Sequence, residues 1–544
     1  MMKIIIVVFV MGLMPFFGCL KKTYHREAES LSMPMKLEQK IGQLIMVAVP
    51  GTGMHQGAES IIKEYLPGGV ILFGYNLSSY HNNKRFINEL QQSSLRHTGI
   101  PLFVSIDQEG GRVVRITEGV TQFPGNMSAG TGGDDDLVYQ WGRVLGLELR
   151  LSGVNMNLAP VLDVNNNPYN PVINTRSFGS DPGLVARMGS DYIRGIQDSH
   201  CIAVGKHFPG HGDTDKDSHY TLPVIRSDLK RLRSVELVPF KKAIDAGVES
   251  IMTAHISFPE IPGSNEPATL SPLFLTGILR NELKFTGLII TDDLEMAAIS
   301  KKQEMGEAAV KSVLAGADIV LISSYGRNIP VIVGALKKAV VDKRISEARL
   351  NESLSRILEV KMRYNIIAYE NGRVHIEGFA LTDKESLVLK EAPRVNSELS
   401  KRGILYFGDA GLLYPGGSAV RLFITPSAAL RGVLKQNKNN IICGIHEVAR
   451  LMAKKGGKTV LYYHVSKPDL KSIQIIAAYC KNKGVGFVII SSGNPFPITV
   501  SGLVQAGLLS FSDTDESIRL LGICLNGGFR PALNSRLFLG IKKQ

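Results

Sequence analysis

From residue 36 onward the chain alternates short, β-branched apolar runs with amphipathic stretches of helical period. The apolar runs fall at 43–49, 69–74, 102–107, 155–163, 203–208, 250–256, 287–292 and 318–323. Helical patterns lie between them at 82–97, 136–151, 181–197, 229–246, 272–283 and 304–315. Runs that stay apolar without alternation describe strands buried on both faces, and intervening helices make the strands parallel. Eight such units predict an α/β fold of the (β/α)8 barrel type, closed by an Arg- and Glu-rich helix over 346–364. Mixed-charge residues 367–399 read as a connector. A second α/β unit over 400–544 follows, with strands expected at 403–408, 420–425, 441–445, 459–465, 485–491 and 507–510, and it reads as a three-layer sandwich.

Composition agrees with two globular domains: 544 residues, 44% hydrophobic and 20% charged. The net charge of +13 favours acidic surroundings. Its clusters, such as Lys230-Arg231-Leu232-Arg233 and Lys241-Lys242, are short and lack interleaved aromatics, so they read as solvated helix faces and not as a nucleic-acid surface. Gly456-Gly457-Lys458-Thr459 resembles the end of a phosphate loop, but Met452 stands where its first glycine belongs, which rejects nucleotide binding. Cys201, Cys443, Cys480 and Cys524 have no paired spacing and are expected as buried free thiols.

The N-terminus adds a compartment. Lys3 precedes an apolar run over 4–18 that is too short to span a bilayer comfortably but fits a signal-peptide core. It ends at Gly18-Cys19, which resembles a bacterial lipoprotein processing site. The expectation is a leader over 1–18, lipid attached to Cys19, a tether over 19–35 and a barrel over 36–366, held at a membrane in the cell envelope.

Several strands end in polar clusters: Asp107-Gln108-Glu109, Lys206-His207, His255 and Asp292-Asp293. Buried together they would cost more than a domain's net stability, so they should line a pocket at the barrel's active end. The densest loop runs from Gly205 through His207, His211, Asp213, Asp215 and Asp217 to His219. Calcium binding is disfavoured, because Ser218 and Val224 replace the loop's Gly and Glu. Zinc is disfavoured because the three histidines have no helical spacing. In extended chain, Asp217 and His219 project to one side, so the carboxylate can hold one ring nitrogen and leave the other for a substrate proton. Asp292 sits at the mouth of an apolar strand, fixed in direction, as a nucleophile requires. Asp293 reads as the cap of a helix starting near Leu294. Asp107 can take sugar hydroxyls, while Arg115 and Arg176 can fork onto oxygens or simply pin loops.

Together these segments resemble family 3 glycoside hydrolases of the β-N-acetylglucosaminidase branch, in the two-domain bacterial lipoprotein type, over roughly residues 36–365. The resemblance rests on Lys206-His207-Phe208-Pro209-Gly210-His211-Gly212-Asp213-Thr214, on Asp217-Ser218-His219, on Thr291-Asp292-Asp293, and on the Asp107 and Arg176 segments. It implies Asp292 as nucleophile, Asp217 and His219 as an acid/base dyad, and substrate contacts from Asp107, Arg115, Arg176, Lys206 and His207. It further implies a retaining exo-glycosidase acting on terminal β-linked N-acetylglucosamine of a glycan or muropeptide. No cofactor or metal is expected, and the protein should act as a monomer. A β-glucosidase, a phosphorylase and a carbohydrate receptor on an inactive barrel stand as alternatives.

Overall fold

A computed structural model describes residues 24–218, 220–301, 303–370, 373–376, 378–408, 420–437, 440–443, 447, 451, 459–465, 470–483, 485–493, 506–526 and 528–533. The expected leader, Cys19, His219 and the 456–458 segment lie outside these residues.

Eight strands form the first domain: β1 (Ile45–Ala48), β2 (Gly69–Leu72), β3 (Phe103–Ile106), β4 (Met156–Asn157), β5 (Ile202–Phe208), β6 (Ser250–Thr253), β7 (Leu288–Ile290) and β8 (Val320–Ile322). Each pairs in parallel with its sequence neighbours, and β1 also pairs with β8. The ring closes between β7 and β8 through an Ile290–Ile319 bridge. Every residue of these strands is buried, as the unalternating apolar pattern predicts for a barrel wall covered on both faces.

Two elements depart from the sequence pattern. The expected strand over 155–163 pairs only at Met156–Asn157 and touches β5 once more, at Val161. Pro160 lies between and has no N–H to continue the ladder. The expected helix over 229–246 is two, Leu229–Ser234 and Leu237–Asp245. Pro239 sits in the first turn of the second, where its missing N–H has no intrahelical partner to lose.

The helix Glu347–Arg363 crosses the N-terminal end of the barrel. Its Ser353 and Arg356 bond Asp318 at the foot of β8, and Lys361 donates to Gln43 and to the carbonyl of Gly68 at the feet of β1 and β2. Burial alone would raise the Asp318 carboxyl, but Arg280, Arg356 and Arg349 hold it below its ordinary value. Polar groups at this end therefore tie elements together, and the opposite end is left for chemistry.

The connector holds a hairpin, β9 (Ala368–Glu370) with β10 (Arg373–His375), and two helices, Asp383–Lys390 and Ala392–Arg402. Ala392, Val395 and Leu399 of the second helix join the barrel's apolar core. Beyond them β11 (Ile404–Gly408), β12 (Val420–Ile424), β13 (Asn440–Ile442), β14 (Thr459–Val465), β15 (Gly486–Ser492), β16 (Ala506–Ser510) and β17 (Ala532–Leu533) form one sheet, ordered β13-β12-β14-β15-β16-β11-β17. Among the described strands of this sheet only β11 and β16 pair antiparallel. Two separate apolar clusters cover the sheet, one with Leu430 and Leu521 and the other with Ile473 and Ile476. This makes the α/β sandwich expected from the pattern. Among the described cysteines, Cys201, Cys480 and Cys524 are buried free thiols and Cys443 is half-buried.

Candidate active site

A cavity of about 470 Å³ opens at the C-terminal ends of the strands, within the usual size of a small-molecule site. Asp107 and Glu109 reach it from just beyond β3, Lys206 and His207 from the end of β5, and Asp292 and Asp293 from beyond β7. Arg115, Arg176 and Asp217 line it from loops.

Lys206 is buried, 2% exposed, and its Nζ lies 2.7 Å from Asp107 Oδ1 and 2.6 Å from Glu109 Oε1. Arg176 grips the same Glu109 side-on, Nε to Oε2 at 2.9 Å and Nη2 to Oε1 at 2.8 Å. Burial would raise the Glu109 carboxyl, but Arg176 and Lys206 override it and hold it far below the ordinary range. Arg115 Nη2 approaches Asp107 Oδ2 at 3.4 Å. Three cations thus face two carboxylates, leaving a positive surplus beside the next acidic group.

That group is Asp292. Its Oδ1 accepts the Asp293 N–H at 2.8 Å. Burial would raise its pKa, yet His255, His207, the Asp293 N–H and Lys206 together hold it below the ordinary value. It is an ionised, half-buried carboxylate lining the cavity. Asp293 differs. It caps no helix starting at Leu294, because the next helix begins at Ala297. Instead its Oδ1 accepts the Glu295 and Ser323 N–H groups, and burial pushes its carboxyl up to about 6.

His207 is placed by a partner that the sequence reading passed over. The β5–β6 register shifts between Lys206 and Phe208, so His207 leaves the ladder and turns toward the cavity. Its Nδ1 lies 2.7 Å from Asp163 Oδ2, while Asp163 Oδ1 accepts the backbone N–H of His211 at 2.7 Å. Asp163 thereby fixes both the imidazole and the start of the loop that leads from His211 to Asp217. Asn170 extends the brace, donating to the carbonyls of His211 and Gly212. Gly212 passes so close to Val164 that an added Cβ would stand 1.7 Å from its carbonyl oxygen. His211 is buried between Ser218 Oγ at 3.1 Å and Thr214 Oγ1 at 3.0 Å, and burial drops its pKa to about 4. It is a neutral strut of the loop.

Arg176 also depends on the second domain. The helix Asn126–Gly132 is wedged between the two. Asn126 Nδ2 donates to the Arg176 carbonyl at 2.6 Å. A Cβ on Gly130 would fall 1.8 Å from the Phe178 carbonyl oxygen, so only glycine permits this approach. On the other side Met127 packs with Leu405, Leu509 and Phe511.

The comparisons decide the family. Residues 36–360 match the glycosyl hydrolase family 3 N-terminal domain. This chain belongs to glycosyl hydrolase family 3. Beta-hexosaminidase A of Pseudoalteromonas piscicida is 33% identical over 374 residues, and the match spans 62% of this chain and 62% of that relative. A beta-hexosaminidase of Nitrosospira multiformis is 35% identical over 284 residues, 51% of this chain and 79% of the relative. The structure of a family 3 beta-N-acetylglucosaminidase from Paenibacillus sp. superposes with a TM-score of 0.79 at 35% identity, covering 92% of this chain and 98% of that one. The expectation of a family 3 glycoside hydrolase of the β-N-acetylhexosaminidase type, with a barrel and a sandwich domain, is thus borne out.

Of the site residues expected from sequence, Asp107, Arg115, Arg176, Lys206, His207, Asp217 and Asp292 all line this family 3 cavity. His219 lies outside the described residues. Glu109, quoted in its motif without a role, proves to be the counter-ion of both Arg176 and Lys206. Asp163 was legible only as the last residue of an expected strand. Among the described residues no cluster of three or more His, Cys, Asp or Glu side chains is arranged to hold a metal ion.

Proposed function

We propose that this enzyme releases terminal β-linked N-acetylglucosamine with retention of configuration, acting on peptidoglycan fragments in the cell envelope. Asp292 attacks the anomeric carbon as the bond to the leaving oxygen breaks, and His219, oriented by Asp217, gives that oxygen its proton. Water then attacks the glycosyl–Asp292 ester, loses its proton to His219, and frees the sugar and the carboxylate. Asp107, Arg115, Arg176, Lys206 and His207 hold the sugar. The observation that carries this reading is the half-buried Asp292, held in its ionised form, in the cavity that Asp217 also lines. The beta-hexosaminidase and beta-N-acetylglucosaminidase relatives support the N-acetylated sugar. The apolar run over 4–18, which reads as a leader ending before Cys19, supports the envelope setting, with acyl chains on Cys19 as the proposed membrane anchor.

The dyad is tested by the leaving group. His219→Ala removes the proton donor, so N-acetylglucosaminides with poor leaving groups should slow by about 10²–10⁴. An aryl glycoside whose leaving group needs no proton should form the glycosyl-enzyme at a far less impaired rate, with its breakdown becoming limiting. Equal losses with good and poor leaving groups would sink the assignment. Running the products with and without phosphate identifies water as the acceptor.

A further inference from the structure

One polar residue at a strand end, His255, has no part in the chemistry described so far. It stands two residues beyond the end of β6, and the neighbouring strand β7 carries Asp292 two residues beyond its own end. The ring is fully buried and, of the described residues, is not among those lining the cavity. Both of its nitrogens are engaged. Nε2 lies 2.8 Å from the carbonyl oxygen of Asp293, and Nδ1 lies 2.8 Å from Thr269 Oγ1. A carbonyl only accepts, so Nε2 carries a proton and donates it there.

Thr269 ties this ring to the other side of the nucleophile. Its Oγ1 is 2.8 Å from Thr253 Oγ1, and Thr253 accepts the backbone N–H of Asp292 at 3.4 Å. The Asp292 N–H and the Asp293 carbonyl, the two ends of one dipeptide, are therefore held by a single hydrogen-bonded set. Its members come from the end of β6 and the turn Ala268–Leu270. Thr253, His255 and Thr269 are each 0% exposed, so water does not compete for these bonds. The Thr269 hydroxyl has one proton and a second acceptor, the Ala254 carbonyl at 2.9 Å. When the proton goes there, Nδ1 bonds Thr269 only as a donor, and the ring then carries a positive charge. Of the groups that oppose burial in keeping Asp292 ionised, His255 acts most strongly, ahead of His207, the Asp293 N–H and Lys206.

We propose that His255 is the positioning residue of the nucleophile, holding the Asp292–Asp293 backbone through the Asp293 carbonyl and placing a positive charge beside the Asp292 carboxylate. This rests on the reading of Asp292 as nucleophile. A carboxylate that attacks an anomeric carbon must be both aimed and ionised, and clamping the backbone that bears it serves the first need. His255 does not reach the sugar, so its loss should slow attack without weakening binding.

The test uses the full chain and a fluorinated N-acetylglucosaminyl inhibitor that labels the nucleophile, read by intact mass. The maximal labelling rate reports attack, and the half-saturating concentration reports binding. His255→Ala should lower the maximal rate by up to about 100-fold with the half-saturating concentration little changed. His255→Gln offers an amide N–H to the Asp293 carbonyl but no charge, and should restore most of the rate at high pH. In both variants the acid limb of the pH–rate profile should move to higher pH, because Asp292 loses a cation that favours its charged form. The other titratable groups around it remain in every variant: Asp293 on its own segment, His207 and Lys206 from β5, and His211 from the next loop. A rate unchanged in His255→Ala, or an acid limb unmoved in both variants, overturns the proposal. A lower Tm with neither change would make His255 a packing residue only. If His255→Ala does not fold, His255→Gln and its acid limb decide. If wild type takes no label on Asp292, the nucleophile assignment itself has failed, which is a different outcome.

Discussion

Arg176 and Glu109 meet side-on through two nearly parallel hydrogen bonds of 2.9 and 2.8 Å, in a pocket where the carboxylate is 2% exposed. Lys206 shares the same carboxylate at 2.6 Å. Removing the charge leaves two buried cations with less compensation. Glu109→Gln should therefore cost about 3–5 kcal/mol of stability, the usual result of breaking a buried pair. It should also lower kcat/KM for an N-acetylglucosaminide by about 10–100-fold, since the lost contacts are charge-assisted. Denaturant titration and steady-state kinetics check both. A stable, fully active variant would show that Glu109 only fills space.

The helix Asn126–Gly132 couples this pair to the second domain. Phe511 packs on Met127, and the adjacent Asn126 holds the Arg176 carbonyl. Phe511→Ala should therefore raise KM severalfold with a smaller change in kcat, and Phe511→Leu should largely restore it. A fall in Tm with KM unmoved would make the contact merely structural. A chain ending near residue 367 is a poorer experiment, because Ala392, Val395 and Leu399 would leave the barrel core uncovered.

Much of this site was readable in sequence, for physical reasons that can be named. Parallel strands buried on both faces announce themselves by unbroken apolar runs, so the barrel and the positions of Asp107, Lys206 and Asp292 at strand ends follow from pattern. Asp163 did not, because Pro160 interrupts β4 and its strand ends early, leaving a lone acid in an Asn-rich loop. Nothing local says that its partner is His207, 44 positions away. Asp293 misled because an acid after a strand looks like a helix cap, whereas its acceptors are taken by Glu295 and by Ser323 at the end of the next strand. The wedge of Asn126–Gly132 is a tertiary contact between domains and has no periodicity to betray it.

Asp293 also carries a pH prediction. Burial lifts its carboxyl from 3.8 to about 6 in the folded chain. Below about pH 4 it is protonated in both states. Between about 4 and 6 only the unfolded chain releases the proton, so folded stability falls as pH rises through this window and stays lower above it. Asp293→Asn keeps an acceptor for the two N–H groups and removes the titration. The difference in Tm between variant and wild type should grow in the variant's favour from about pH 4 to 6. A pH-independent difference would contradict the raised pKa.

The anchor is tested separately from the chemistry. Cys19→Ser should release the protein from membranes if acyl chains on that residue hold it there, because two or more chains anchor stably and one only marginally. Fractionation of cells expressing each form decides it. A variant that remains membrane-bound and unprocessed would make the apolar run over 4–18 the anchor.

The central claim is the covalent intermediate on Asp292. A fluorinated N-acetylglucosaminyl inhibitor that forms the intermediate faster than water removes it should add one sugar mass to the enzyme. Trypsin gives a peptide over 285–301 that contains both Asp292 and Asp293, so fragment-ion mass spectrometry must separate them. The account predicts the label on Asp292, none in Asp292→Ala, and near-complete loss of turnover in that variant. A label on Asp293 or elsewhere, or sustained turnover by Asp292→Ala, would contradict it.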